Sequence, residues 1–468
     1  MFVIAALAAT LSVGAVSDSA PRPPASREVK DRVELAFLSK YAARIPSFSR
    51  QTKLACNMCH NGFPQLTSFG RLFKLNGYTM TGLQMIKAQA DSASRLQLSL
   101  SPIAPLSVMA IIAATNVSTP VPGTLATTTE LPQQLSLFAA TALSPNMGIF
   151  SQLTYTAQDG RIGIDNLDLR YARHMQIGEH DAIVGLTLNN NPTVQDVWNS
   201  TPAWSYPFNT ASIAPSPAAA TIVEGALAQQ VLGVGAYTLF NNAIYAELSG
   251  YVAAPQGAAL PLDSTASNIP KAISPYWRVA FQHDMSPSTY LMVGAFGLSA
   301  DIFPTGVTGT TNHYRDLGFD AQLEQKVGDG MLIGRASYIH EDQQLPAFFV
   351  GVPPASQNAT NTVNTYKVNL SFMPSQTHTL TVGYFGISGT SDNVLYGSAP
   401  VTGSASGSPT SQGETFEWST NPWLNVRLGV QYIAYQKFNG GSTSYDLSSG
   451  GRNAKDNNTL YMYLWFAY

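Results

Sequence analysis

Residues 366–372 read Tyr366-Lys367-Val368-Asn369-Leu370-Ser371-Phe372. Large apolar side chains take every second position, and Lys, Asn and Ser take the positions between. Successive side chains of an extended chain point to opposite faces, so the stretch predicts a strand with one apolar and one polar face. The pattern recurs in both directions along the chain. Leu317, Phe319, Ala321 and Leu323 alternate with Asp316, Asp320, Gln322 and Glu324, and Leu167, Leu169 and Tyr171 alternate with Asn166, Asp168 and Arg170. A soluble all-β protein turns the apolar set inward. A transmembrane barrel turns it outward to lipid and leaves the charges in a wet lumen. Composition favours the barrel, because of 468 residues 45% are hydrophobic and only 11% charged. After Val16 no run approaches the ~18 consecutive apolar residues of a membrane helix.

Sixteen such strands can be counted, beginning near Arg95, Gln133, Ile149, Ile162, Ala182, Gln230, Ala243, Pro275, Thr289, His313, Met331, Thr362, His378, Gly413, Leu424 and Asn457. Their connections alternate in length. Short turns are read at Ser144-Pro145-Asn146, Gly178-Glu179-His180, Asn241-Asn242, Ser286-Pro287-Ser288, Gly328-Asp329-Gly330, Pro374-Ser375-Gln376 and Asn421-Pro422. Most loops between them are long, at 191–229, 254–274, 344–361, 390–412 and 437–456, with Gln158-Asp159-Gly160 the short exception. Outer-membrane barrels place short turns in the periplasm and long loops outside. The long loops, 191–229 among them, are therefore expected at the cell exterior, with the Gly/Ser/Thr-rich stretch 397–413 a flexible outer loop. The last strand carries Leu460, Met462, Leu464, Phe466 and the terminal Tyr468 on one parity, which resembles the closing strand read by the outer-membrane assembly machinery. The expected fold is all-β, a barrel of about sixteen antiparallel strands.

The N-terminal part differs. Residues 1–20 read as a secretory signal, an apolar core with small residues near its end but no basic residue before Arg22. Val29, Val33, Phe37 and Tyr41 recur every fourth residue, which predicts an amphipathic helix before Pro46. Residues 26–95 hold eleven basic and four acidic residues, a balance of +7, whereas residues 96–468 balance at −10. A basic module facing an acidic barrel is expected to dock with it. No basic and aromatic pattern of a nucleic-acid module is present.

The chain's two cysteines lie in Cys56-Asn57-Met58-Cys59-His60. Cys-x-x-Cys-His is the attachment signature of c-type haem. Its spacing lets two thiols join the two vinyl groups on one porphyrin edge while the adjacent imidazole, here His60, ligates the iron. A redox disulfide would want a βαβ context, and half a zinc site would want a second ligand pair; neither is near in sequence. For the sixth iron ligand Met80 is the first candidate, with Met85, a barrel histidine or an open position as alternatives. Arg50, Lys53, Arg71 and Lys74 are candidates for the haem propionates, and Phe63, Phe69 and Phe73 for the walls. No paired catalytic carboxylates, nucleophile triad or phosphate loop is read, so no catalytic residue is assigned.

The flanks of that motif carry a resemblance. Phe48-x-Arg50-Gln51-Thr52, the haem motif, Pro64-x-Leu66 and Phe69-Gly70-Arg71-x-Phe73-Lys74-x-x-Gly77-Tyr78 resemble the fused monohaem cytochrome–porin family of iron-oxidising bacteria. About thirty residues match closely, and the rest agrees in size and architecture. The resemblance implies a signal at 1–20, a monohaem segment at 21–94 and an outer-membrane barrel at 95–468. It implies one covalent haem c, an extracellular donor with Fe(II) the first expectation, and a periplasmic c-type cytochrome or other carrier as acceptor. Residues 21–94 are expected to plug the lumen and hold the haem within the membrane. Two other readings stand beside this: a diffusion porin with a haem-bearing plug or sensor, and a soluble periplasmic cytochrome joined to an unrelated β domain. A rim site for the donor at His340, Glu341 and Asp342 meets an obstacle of parity, since period two separates Glu341 from the other pair.

Overall fold

A computed structural model describes residues 46–468 apart from 84–85, 90–96, 158–159, 255–267, 305–306, 398 and 447–450. The signal, the helix expected before Pro46, Met85 and Arg95 lie outside the described residues.

Sixteen long strands form one closed antiparallel barrel. They are β1 (Leu106–Val117), β2 (Thr127–Ser144), β3 (Met147–Thr156), β4 (Arg161–Ile177), β5 (His180–Asn189), β6 (Val231–Phe240), β7 (Ile244–Ala253) and β8 (Ser274–Ser286). There follow β9 (Thr289–Phe303), β10 (Asn312–Val327), β11 (Gly330–Gln344), β12 (Thr360–Met373), β13 (His378–Gly389), β14 (Ser411–Trp423), β15 (Val426–Lys437) and β16 (Thr459–Ala467). Each pairs with its sequence neighbour, and β16 closes on β1 through Leu464↔Ile112 and its flanking pairs. A two-residue strand, Ile269–Pro270, adds to β9. The count and most of the turns agree with the sequence reading.

The alternation is realised as lipid-facing and lumen-facing sets. On β12, Val368 and Leu370 are about half exposed (51% and 50%), while Asn369 and Ser371 are at 6% and 0%. On β10, Leu317, Phe319 and Leu323 face out, and Asp316, Asp320, Gln322 and Glu324 are buried in the interior. Large apolar side chains thus cover the outside and charges fill the inside, the inverse of a soluble sandwich and the arrangement lipid requires. The interior is also rich in tyrosine, with Tyr245, Tyr251, Tyr276 and Tyr461 nearly inaccessible.

Three expectations need correction. The first wall strand begins at Leu106, not near Arg95; residues 97–100 pair with 86–89 in a separate hairpin. The turn read at Asn421-Pro422 lies at Leu424–Asn425, because β14 runs on to Trp423 and pairs it with Val426. The largest correction concerns 191–229. Instead of standing outside, it turns into the barrel, and every residue from 190 to 201 is buried. The 397–413 stretch is likewise packed: Asn439 Nδ2 donates to Thr402 O (2.8 Å) and Tyr445 Oη to Val401 O (2.8 Å).

Two segments therefore occupy the lumen, one from each end. The N-terminal plug contains α1 (Ser47–Thr52), α2 (Cys56–Cys59) and α3 (Ser68–Leu75). The segment 190–230 enters from the side of the long loops. They meet where Lys74 Nζ donates to Val194 O (2.7 Å) and Asp196 O (2.8 Å) and where Leu66 N donates to Asn199 Oδ1 (3.0 Å). The predicted docking of a basic module on an acidic barrel is represented by Arg71, which pairs with Glu324 of β10.

Candidate functional site: a cavity at the short-turn mouth

The Cys56–His60 turn is held from both sides. Upstream, α1 is tied to the wall: Ser47 Oγ and Gln51 Nε2 both donate to Ala140 O of β2 (2.6 and 2.8 Å). Downstream, the Thr67 hydroxyl caps α3 by accepting from Gly70 N (3.1 Å), and the same hydroxyl donates to Met58 O (2.6 Å). Thr67 N also donates to Cys59 O (2.9 Å). At Gly70 the helix lies directly on the turn, where a Cβ would come within 2.2 Å of Cys59 O; only glycine permits that approach. The helix ends at Gly77 with φ +69°, a left-handed closing position suited to glycine.

This frame sets Cys56, Cys59 and His60 on the edge of a cavity of about 580 Å³, within the range of small-molecule and cofactor sites. Plug and wall line it together. Phe48, Phe63, Phe73 and Tyr78 come from the plug, Trp204 from the inward segment, and Phe138, Phe150, Arg427 and Trp465 from the wall. The short turns at Gly328–Gly330, Ser375–Gln376 and Leu424–Asn425 form its rim, so it opens at the periplasmic mouth. His60 Nδ1 lies 3.3 Å from Pro64 O, and the Phe63 ring sits 4.9 Å from the imidazole and 4.9 Å from Trp465. A ring nitrogen donating to a backbone carbonyl fixes the tautomer and leaves Nε2 without the proton, an arrangement also made by metal-bound histidines. Burial pushes the His60 pKa down to about 4, against hydrogen bonds with Pro64 and Gln65 that act the other way. The ring is then neutral at pH 7, the form that ligates a metal. Burial, with Cys56 beside it, pushes the Cys59 thiol up to about 11.

The remaining sequence candidates are dispersed. Met80 does not reach this cavity; it lines a separate small one with Gln51, Lys53 and Leu83, because the close after Gly77 turns the chain away from the haem motif. Arg71 is absent from the lining. Its guanidinium is taken by Glu324, Ser68 Oγ (2.9 Å) and the Tyr290 ring (4.3 Å). Phe69 is also absent, whereas Phe63, Phe73 and Lys74 are present. Arg50 reaches Ala104 O (3.1 Å) instead. The sequence reading missed the thioethers of Met109, Met331 and Met373, which line the cavity from the wall, and the cations Lys326 and Arg427. Only strand parity marked them, as lumen-facing or near-turn positions. At the opposite end, His340 contacts Asn364 (2.7 Å) and Asp342 (3.3 Å) on the outer face, while Glu341 is buried inside. The parity obstacle to a rim site is thus real. Among the described residues no three of His, Cys, Asp and Glu converge on one metal position.

A closed wall with an apolar exterior and an ionic interior defines an outer-membrane β-barrel of porin-like architecture, set in the bacterial outer membrane. No protein-family profile matches the chain, and no curated protein sequence matches it. Solved structures similar to it include the anion-selective porin from Comamonas acidovorans (11% identity, 78% of this chain and 98% of that one, TM-score 0.43). The outer membrane channel DcaP of Acinetobacter baumannii is similar at 11% identity (78% and 96%, TM-score 0.44). Outer-membrane expressed OmpT of Vibrio cholerae is similar at 10% identity (82% and 100%, TM-score 0.42).

Proposed function

We propose that this barrel carries one covalent haem c in the cavity at its periplasmic mouth and passes single electrons between a donor outside and a periplasmic carrier. The observation that carries the reading is the Cys56–Cys59–His60 turn facing a cavity of about 580 Å³ whose lining includes Phe48, Phe63, Phe73, Tyr78 and Trp465, with His60 Nδ1 held by Pro64 O. Cys56 and Cys59 would make the thioether bonds and His60 the proximal iron bond. Met109, Met331 and Met373 are the lining thioethers that would be available to the iron, and Lys326 is the lining cation that would be available to a propionate, since Glu417 takes Arg427 and the Val194 and Asp196 carbonyls take Lys74. The haem supplies a reversible one-electron couple. The protein's own residues would exclude water from it with Phe48, Phe73 and Trp465, and Pro64 O would hold the His60 tautomer. Fe(II) remains the first donor to test; the resemblance of the motif's flanks supports that choice, and the rim offers no ready-made site for it.

The second reading, a diffusion porin whose haem module is a plug or sensor, has the barrel itself in its favour. The meeting of Lys74 with Val194 and Asp196 speaks against free diffusion, since it joins the two lumen segments across the barrel. The test is an absorbance spectrum of the purified protein titrated with ferrous salt, with conductance measured in a planar bilayer. Haem reduction with little conductance supports electron transfer. Ion conduction with a haem that ferrous ions leave oxidised supports the porin.

A further inference from the structure

Among the buried carboxylates of the lumen, Asp168 has Arg170, Asp320 has Arg278, Glu324 has Arg71 and Glu417 has Arg427, while Glu247 stands alone and is bonded by neutral Gln195, Tyr245 and Ser249. Asp316 and Glu341 differ. They are direct cross-strand partners on β10 and β11, both lumen-facing, at 3% and 1% exposure. Among the described residues neither forms an ion pair. The nearby Lys367 is taken by Glu224 (2.8 Å). Their hydrogen bonds come from neutral groups of the inward segment and the wall. Val223 N donates to Asp316 Oδ2 (2.9 Å), Ile222 N donates to Glu341 Oε2, and Gln343 Nε2 donates to Glu341 Oε1 (2.6 Å).

Two oxygens are left over. Asp316 Oδ1 and Gln343 Oε1 are buried and receive no N–H or hydroxyl, and the Asp316 carboxyl is in hydrogen-bond contact with that of Glu341, so the pair needs a proton or a cation between its oxygens. Flipping the Gln343 amide does not help, because its oxygen would then face the Glu341 carboxylate. Two adjacent buried carboxylates repel each other strongly unless positive charge lies between them. Carboxylate and amide oxygens are the donors that hard divalent cations take, completed by water. We propose that Asp316, Glu341 and Gln343 bind one hard divalent cation near the outer end of the lumen. Asp316 is eight residues along β10 from Glu324, the plug's ion-pair partner, or about 26 Å at ~3.3 Å per residue. The site is therefore remote from the cavity at the periplasmic mouth, and it stands on the barrel and the inward segment alone, independent of the haem reading. A cation held there also ties residues 222–223 to the wall, so it fastens the inward segment where that segment returns to β6.

The experiment is Mn²⁺ binding to the purified full-length protein in detergent at neutral pH, read by electron paramagnetic resonance. The native protein is expected to retain one tightly held ion. Asp316→Asn with Glu341→Gln keeps size and acceptor oxygens but removes the charge, and it is expected to lose that ion. Asp342→Asn, on the exposed rim beside the pair, is expected to retain it. No retention by the native protein, or equal retention by the double variant, overturns the site. A carboxylic-acid infrared band that the double variant lacks, in native protein that binds no Mn²⁺, also overturns it and assigns the pair to a shared proton. Should the double variant fail to assemble, Gln343→Leu leaves both carboxylates in place and must still lower retention; unchanged retention overturns the proposal. Haem content is read separately from the visible spectrum, so neither result depends on the other.

Discussion

The two segments inside the barrel are held in opposite ways. The inward segment 190–201 has no regular structure and is fixed by polar contacts that leave little room. Asp196 accepts from Trp198 N, Ser200 N and Thr201 N (3.0, 3.0 and 3.1 Å). Arg278 of the wall, itself held by Asp320 (2.7 Å), reaches it at Asp196 (3.6 Å) and lies against the Trp198 ring. The plug is instead a set of short helices, of which α3 is capped by Thr67, with a cavity of about 580 Å³ along its flank. The inward segment fills its part of the lumen, whereas the plug leaves a space beside Cys56, Cys59 and His60, where the haem is proposed.

The strongest way to break the comparison is to remove the proposed haem from that space. Cys56→Ala with Cys59→Ala is expected to abolish covalent haem completely while the barrel still assembles. Haem staining after denaturing electrophoresis, with the heat-dependent mobility of the barrel as control, is the measurement; retained haem would refute the attachment.

Next in size is the inward segment's ionic anchor. Arg278→Met leaves Asp196 and Asp320 buried without their cation, and breaking a buried pair costs about 3–5 kcal/mol. The wall's ladder is untouched, so the expected outcome is release of 190–201, seen as new protease cleavage there and higher bilayer conductance. A segment that stays protected would show that packing, not charge, holds it.

Gly70→Ala sharpens the plug side. The added Cβ would meet Cys59 O at 2.2 Å, and overpacking of this kind costs about 1–3 kcal/mol. The expected result is reduced haem incorporation with an unchanged barrel melting profile, read from the ratio of haem to protein absorbance.

The smallest effect is a pH dependence where the two segments touch. Burial, and then Arg170, push the Lys74 amine from its ordinary 10.5 down to about 7. Below pH 7 the amine is charged in both the docked and the unfolded plug, and the cost of burying that charge is fully present. Between 7 and about 10.5 the docked amine is neutral while the unfolded one is still charged, so the cost fades as pH rises. The urea midpoint for plug release is expected to climb from pH 7 to pH 10 in the native protein and to stay flat in Lys74→Met. A native midpoint that falls over this range would contradict it.

Much of the wall was legible because strand patterning is local. On β10 and β12 the period of two alone separated Phe319 and Leu370 from Asp320 and Asn369, and lipid outside fixes which set faces out. The same parity correctly put Glu341 inside and His340 outside. Of the proposed site, only the thiol and imidazole spacing was legible. Cys56, Cys59 and His60 announce themselves by spacing, but Met80 and Arg71 were chosen by nearness in sequence. The wall residues that line the cavity with His60 come instead from β1, β2, β3, β10, β11, β12, β15 and β16, from Ser107 to Ala467.

By itself, then, the sequence determined the barrel and its sixteen strands and carried the Cys-x-x-Cys-His spacing on which the haem proposal rests, because each is written in a repeat or spacing a few residues long. Only the tertiary structure decided that 190–230 turns inward, that the cavity opens at the short-turn mouth and that Asp316 and Glu341 face each other without a cation. Those outcomes depend on which wall residues meet across a closed lumen. Closure brings together groups as far apart in sequence as Phe63 and Trp465, and no local pattern encodes such a meeting.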